Sequence, residues 1–125
     1  MKIKTKQTIL IGIIIFIMST TIGFAQNKNA RANIEVDGVC QMCKKRIEKA
    51  AISVKGVKSA TWNVDTHELK LIYDERKTNI ENISKKLASV GHDTKDIKAS
   101  DEAYDGVHAC CKYRDSETVK AHDNR

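Results

Sequence analysis

The chain has 125 residues, a formal net charge of +6, four cysteines and no proline. That length allows one modest core and not several domains. The basic balance does not amount to a nucleic-acid footprint: beyond the N-terminal segment there is no exposed aromatic cluster for base stacking, no Gly-rich phosphate loop and no long basic run.

The first 25 residues read as a signal peptide. Lys2, Lys4 and Lys6 give a positive start, Ile9 to Met18 an apolar stretch, and Gly23-Phe24-Ala25 a small-x-small ending that a signal peptidase accepts. Cleavage near Ala25 is expected, with an uncleaved anchor as the alternative, and either outcome places the remainder outside a membrane in a periplasmic or otherwise exported compartment. Removing 25 of the 125 residues leaves 100, and because the segment holds three lysines and no acid the charge falls from +6 to +3.

Residues 26–32 form a short arm, and regular patterning begins at Asn33. Asn33 to Asp37 alternates with Ile34 and Val36 on one face. Ala60 to Val64 repeats the pattern with Ala60, Trp62 and Val64, and Glu68 to Tyr73 does so with Leu69, Leu71 and Tyr73. Between the first two runs, Cys43, Ile47, Ala50, Ala51 and Val54 make a helical stripe that stops at Gly56. Thr78-Asn79-Ile80-Glu81 has the form of a capping box for a second helix, with Ile80, Ile83, Leu87 and Val90 on one face and Gly91 as its end. A weaker fourth strand is expected at Asp93 to Ile97.

The order β-α-β-β-α-β, with a hairpin at Asp65-Thr66-His67, predicts an α+β fold of the split βαβ, ferredoxin-like kind: two helices on one face of a four-stranded antiparallel sheet. Residues 99–125 are polar and read as a cysteine-containing tail with little regular structure.

The chemistry concentrates at Cys40-Gln41-Met42-Cys43. Two sulfurs three residues apart at a helix N-terminus meet unpaired N–H groups and the positive end of the helix dipole, which favour thiolate over thiol. A thiolate pair selects Cu(I), Hg(II), Ag(I) or Zn(II) over hard cations. Two sulfurs suit the low coordination numbers of Cu(I) and Hg(II) better than a structural zinc site, which takes four ligands. Lys44, Lys45 and Arg46 in the first helical turn oppose the dipole unless the charge of a metal bis-thiolate offsets them, or unless Lys44 simply pairs with Glu48 one turn on. The topology places Gly91-His92 beside the cysteine loop, so His92 is a candidate to support or ligate there, the alternative being a surface histidine. His67 reads as a hairpin residue, and Trp62 and Tyr73 as core.

Cys110 and Cys111 are the open element. Four cysteines in an exported chain suggest two disulfides by default, but adjacent cysteines bonded to each other form a strained ring. Cys110 lies 13 residues beyond Ile97, a reach of about 43 Å for extended chain. The tail pair therefore has three readings: extra ligands beside Cys40 and Cys43, disulfide partners, or a separate site directed at a partner.

Over about residues 33–98 the chain resembles the heavy-metal-associated domain family of copper chaperones, metal-pumping ATPases and periplasmic mercury-binding proteins. The resemblance rests on the order and length of the elements and on Gly38 before Cys40-x-x-Cys43. The family usually reads Gly-Met-x-Cys-x-x-Cys; here the loop is one residue shorter and lacks its methionine. Val107-His108-Ala109-Cys110-Cys111-Lys112-Tyr113 is similar to the tail of a bacterial exported subgroup.

The resemblance implies a non-enzymatic protein that binds a soft ion, Cu(I) before Hg(II). The ion would be held by Cys40 and Cys43 and passed transiently to a metal-transporting membrane protein or efflux component, or withheld from it. The competing classes are a disulfide-stapled interaction module and a thiol–disulfide redox protein. For the latter the element order is wrong for a thioredoxin-like fold, and the absence of proline removes the cis-proline such folds use.

Overall fold

The computed structural model describes residues 23–123. The signal-segment reading falls on residues 1–22, outside the described residues, apart from its last three. Gly23 to Ala25 are exposed and carry no regular structure. Among the described residues no helix is long and apolar enough to cross a membrane.

The elements run β1 (Ala30–Glu35), α1 (Gln41–Ile52), β2 (Val57–Trp62), β3 (Glu68–Tyr73), α2 (Ile80–Ser89), α3 (Asp101–Asp105), a 3-10 turn (Ala109–Cys111) and α4 (Ser116–Asp123). The sheet is antiparallel with order β1-β3-β2, and Ile34 and Trp62 flank Leu69 from either side. Alternation does the sorting. Leu69, Leu71 and Trp62 point inward with Ile47 of α1 and Ile83 and Leu87 of α2, whereas Arg31, Asn33, Glu35, Glu68 and Lys70 face water. Each fully buried aliphatic side chain contributes about 1.5–3 kcal/mol, so this cluster holds the domain together.

Several boundaries differ from the sequence reading. β1 starts three residues earlier, because Ala30 and Ala32 continue the inward face with side chains too small to register as a pattern. β2 is shifted likewise and stops at Trp62, because the Asn63 side chain accepts the amides of Asp65 and Thr66 and turns the chain into the hairpin. α2 is capped by Asn79, which accepts the Asn82 amide, and not by Thr78, whose buried hydroxyl has no partner.

The fourth strand is reduced to a single bridge between Thr94 and Val36. Thr94 spends its hydrogen-bonding groups locally: its amide and hydroxyl donate to the Ile97 carbonyl and its hydroxyl accepts the Ile97 amide. A residue so engaged cannot continue a ladder.

The tail is ordered, contrary to its polar appearance. Ser100 caps α3 by accepting the Ala103 amide, and Val107 and Cys111 are buried in the same core cluster as the sheet. Gly91 makes this possible. Its φ is +97°, and a Cβ there would lie 2.6 Å from both the Ala103 carbonyl oxygen and Val107 Cγ1. Only glycine lets α3 approach the end of α2 this closely.

Candidate metal centre

The site is built at the end of the sheet where β1 runs out. The Val36 amide donates to the His67 carbonyl and the Asp37 amide to the Asp93 carbonyl, each at 2.9 Å, so the chain entering the cysteine loop is held from both sides. His92 Nδ1 lies 2.8 Å from the Asp37 carbonyl oxygen. A carbonyl only accepts, so Nδ1 carries the proton, and the other ring nitrogen is buried without a partner.

His92 is 0% exposed, not a surface residue, and it supports the loop through its backbone. Beneath the loop, Trp62 Nε1 donates to the Val36 carbonyl at 3.0 Å, and a Cβ on Gly38 would come within 3.0 Å of Cys43 and the Trp62 ring. His67 stacks on Trp62 with centroids 5.8 Å apart.

Cys40 occupies the N-cap of α1 in extended conformation, and Cys43 lies in the first helical turn, where its sulfur accepts the Val39 amide at 3.5 Å. The tail brings the other pair to them. Cys40 Sγ is 3.3 Å from Cys43 Sγ, 3.4 Å from Cys111 Sγ and 3.7 Å from Cys110 Sγ; the two tail sulfurs are 3.9 Å apart.

Cys40 is thus the hub, and the sulfurs of Cys40, Cys110 and Cys111 all lie within 4.8 Å of one another. Cys43 and Cys111 are fully buried, while Cys40 and Cys110 are half-buried; all four are free thiols. With metal–sulfur bonds of about 2.3 Å, sulfurs stand roughly 3.8–4.0 Å apart around a tetrahedral or trigonal ion and about 4.6 Å apart across a linear one. The spacings among Cys40, Cys110 and Cys111 fit a trigonal site with little movement, while Cys43 joins the group through Cys40.

The thiols are electrostatically unequal. Burial works against ionising Cys40, but the nearby Cys43 amide and the surrounding thiols of Cys111, Cys43 and Cys110 outweigh it, so its pKa lies below the ordinary value. Burial pushes Cys43 up, and burial together with the neighbouring Cys43 and Cys40 sulfurs pushes Cys111 far up. Of these three thiols, Cys40 is the one whose ionisation its surroundings favour.

The first-turn cations are answered by oxygen: Lys44 Nζ is 2.6 Å from both Glu48 Oε1 and the Trp62 carbonyl, and Arg46 Nε donates to the Val90 carbonyl at 2.7 Å. Of the two readings of Lys44, pairing with Glu48 is the one the structure contains.

The tail is held by a clasp that periodicity could not reveal. The Tyr113 hydroxyl donates to the Gly91 carbonyl at 2.7 Å and accepts the Asp93 amide, and its ring stacks on His92. Arg114 donates to both carboxylate oxygens of Asp93, at 2.8 and 3.2 Å, and lies 4.3 Å from the centroid of the Tyr104 ring. Two more residues at the site went unread in the sequence. His122 places Nε2 3.1 Å from the Cys110 carbonyl oxygen, and Met42 places Sδ 3.5 Å from Cys110 Sγ. For Met42 the signal was available, since it stands between the two cysteines of the motif.

Residues 33–93 match the heavy-metal-associated domain model. The copper chaperone CopZ of Staphylococcus epidermidis is 32% identical over 63 residues, which are 50% of this chain and 93% of that protein. A copper-exporting P-type ATPase of Staphylococcus saprophyticus is 32% identical over 71 residues, 9% of its length. Among solved structures, the CopZ metallochaperone superposes with a TM-score of 0.50 at 26% identity, covering 52% of this chain and 98% of that one. Oxidized MerP from Ralstonia metallidurans CH34 superposes at 0.52 and 24%, covering 54% of this chain and 94% of that one, a likeness of fold. The family model ends at residue 93, short of Cys110 and Cys111, and the matches agree with a metal-binding rather than a catalytic role: the chain belongs to the heavy-metal-associated domain family.

Proposed function

We propose that this chain is an exported carrier of a soft metal ion, Cu(I) before Hg(II), which it delivers to a metal-transporting membrane protein or withholds from other sites. The observation that carries the reading is the convergence of three thiol sulfurs on a fourth, that of Cys40, with that hub reachable from solvent and the sulfurs of Cys43 and Cys111 buried behind it. Cu(I) stands first because thiolates prefer it and because the relatives spanning the same region are named for copper. The copper-exporting ATPases among those relatives carry a similar segment, which favours a transporter as recipient.

Transfer proceeds by ligand exchange. A partner thiolate attacks the ion at the exposed Cys40 side, one protein sulfur leaves and regains its proton, and the ion is shared until the remaining sulfurs follow. Such an exchange needs only a small, short-lived interface. The disulfide-stapled and redox alternatives draw less support, since the sulfurs gather around one point instead of separating into two bonded pairs. Export rests on the N-terminal charge and apolar pattern alone, and N-terminal sequencing of protein from its own compartment, expected to begin near Gln26, tests it.

The test of binding is the double substitution Cys40→Ser with Cys43→Ser in reduced protein. High-affinity Cu(I) and Hg(II) binding is expected to disappear while the far-ultraviolet circular dichroism persists. Undiminished binding would place the site elsewhere.

A further inference from the structure

Met42 is 44% exposed on α1, yet its thioether is not merely at the surface: the Cys110 thiol donates to Met42 Sδ at 3.5 Å. That spacing falls within the 3.3–3.9 Å range of the thiol sulfurs themselves. The contact joins a residue of the cysteine motif to the tail, so it exists only because the tail returns. Cys40, Met42 and Cys110 all line one open groove of about 490 Å³ with Val39, Val64 and His122. Cys43 and Cys111 lie behind, fully buried. The sulfurs are therefore layered, an outer set facing the groove and an inner set in the core.

Resting on the Cu(I) reading above, we propose that Met42 Sδ is a metal ligand, forming with Cys110 an outer sulfur pair through which a monovalent soft ion enters and leaves the thiol site. A thioether is neutral and soft. It needs no deprotonation before binding, it adds no charge to a site already crowded with ionisable sulfur, and it favours Cu(I) while offering little to Zn(II), whose protein ligands are thiolate, imidazole and carboxylate. A ligand of this kind at the mouth lowers the cost of releasing the ion, since the departing sulfur carries no charge to be left bare. It also separates Cu(I) from Zn(II) in a site whose four thiols alone would suit either ion. The loop methionine usual in the family is absent here, and Met42 stands instead inside the Cys40-x-x-Cys43 pair.

The experiment is copper-edge X-ray absorption on reduced, full-length, selenomethionine-labelled protein loaded with one equivalent of Cu(I), with Met42→Leu as control. A selenium neighbour at bonding distance in the parent protein, gone in Met42→Leu, is expected. With it should come a loss of Cu(I) affinity of roughly tenfold, the low end for removing a group that supports a metal site, and no change in Zn(II) affinity. Copper bound through sulfur with no selenium neighbour overturns the role of Met42 and leaves the carrier reading standing. Equal losses of Cu(I) and Zn(II) affinity mean that Met42 only shapes the loop, which also overturns it. Failure of the reduced parent protein to bind Cu(I) removes both.

Discussion

At the scale of single residues the four cysteines divide by burial and charge, and that division is chemical. Cys40 combines partial exposure with a thiol pKa held below its ordinary value against the cost of burial, whereas Cys43 and Cys111 are buried and shifted upward. Since the thiolate is the nucleophile, Cys40 is expected to be alkylated ahead of Cys43 and Cys111 in reduced protein at neutral pH. Its rate should rise with pH through a midpoint below that of an ordinary cysteine thiol. Mass-spectrometric mapping of iodoacetamide adducts between pH 6 and 9 checks this, and earlier modification of Cys111 would contradict it. The Cys40-Cys43 pair and its helix terminus were legible in the sequence because their spacing is local. That Cys111 would lie 3.4 Å from Cys40 was not, because 71 positions separate them and chain reach permits the meeting without requiring it.

At the scale of elements, alternation and helical stripes located the three strands and two long helices, since burial on one face is written into periodicity. The fourth strand failed for a local reason, the self-pairing of Thr94 with Ile97. The tail was misread because its order comes from contacts between unlike side chains, Tyr113 on His92 and Arg114 between Asp93 and Tyr104, which leave no periodic trace. That clasp makes a prediction. Burial disfavours the Asp93 charge, but Arg114 outweighs it, so the folded pKa lies below the unfolded carboxylate value near 3.9. A depressed acid pKa stabilises the fold above the unfolded value, and the contribution fades as pH falls through the folded value. Replacing Arg114 by Met should therefore cost about 2 kcal/mol at pH 7, the worth of a hydrogen-bonded charge partner. The gap from the parent protein should narrow below about pH 4. Urea titrations of both proteins at pH 7 and pH 3 measure it; a gap that stays constant would show that Asp93 is not the partner that matters.

For the whole molecule, the question is how far folding and metal capture are separable. The sheet, α1 and α2 enclose Trp62, Ile47, Leu69, Ile83 and Leu87, an apolar cluster in which Cys43 and Cys111 pack as small hydrophobes, so the core does not depend on a metal as a zinc finger does. Reduced, metal-free protein should unfold in one cooperative thermal transition, and a stoichiometric soft ion should raise its midpoint by mass action. The tail complicates any simple truncation. Cutting after residue 98 removes Tyr113 from His92 and Val107 from the core as well as both sulfurs, so it loses stability together with ligands. Cys110→Ser with Cys111→Ser isolates the sulfur: the clasp through Tyr113 and Arg114 stays intact while two donors go. In that variant the sulfur coordination number of bound Cu(I) should fall as the two tail sulfurs are lost, with weaker binding and faster hand-off to a competing chelator, and the metal-free transition should move by only a few degrees. Coordination and affinity identical to the parent protein would mean that the tail closes over the site without ligating the ion. A collapse of the metal-free transition would instead make Cys111, buried in the shared core, a structural residue first and a ligand second.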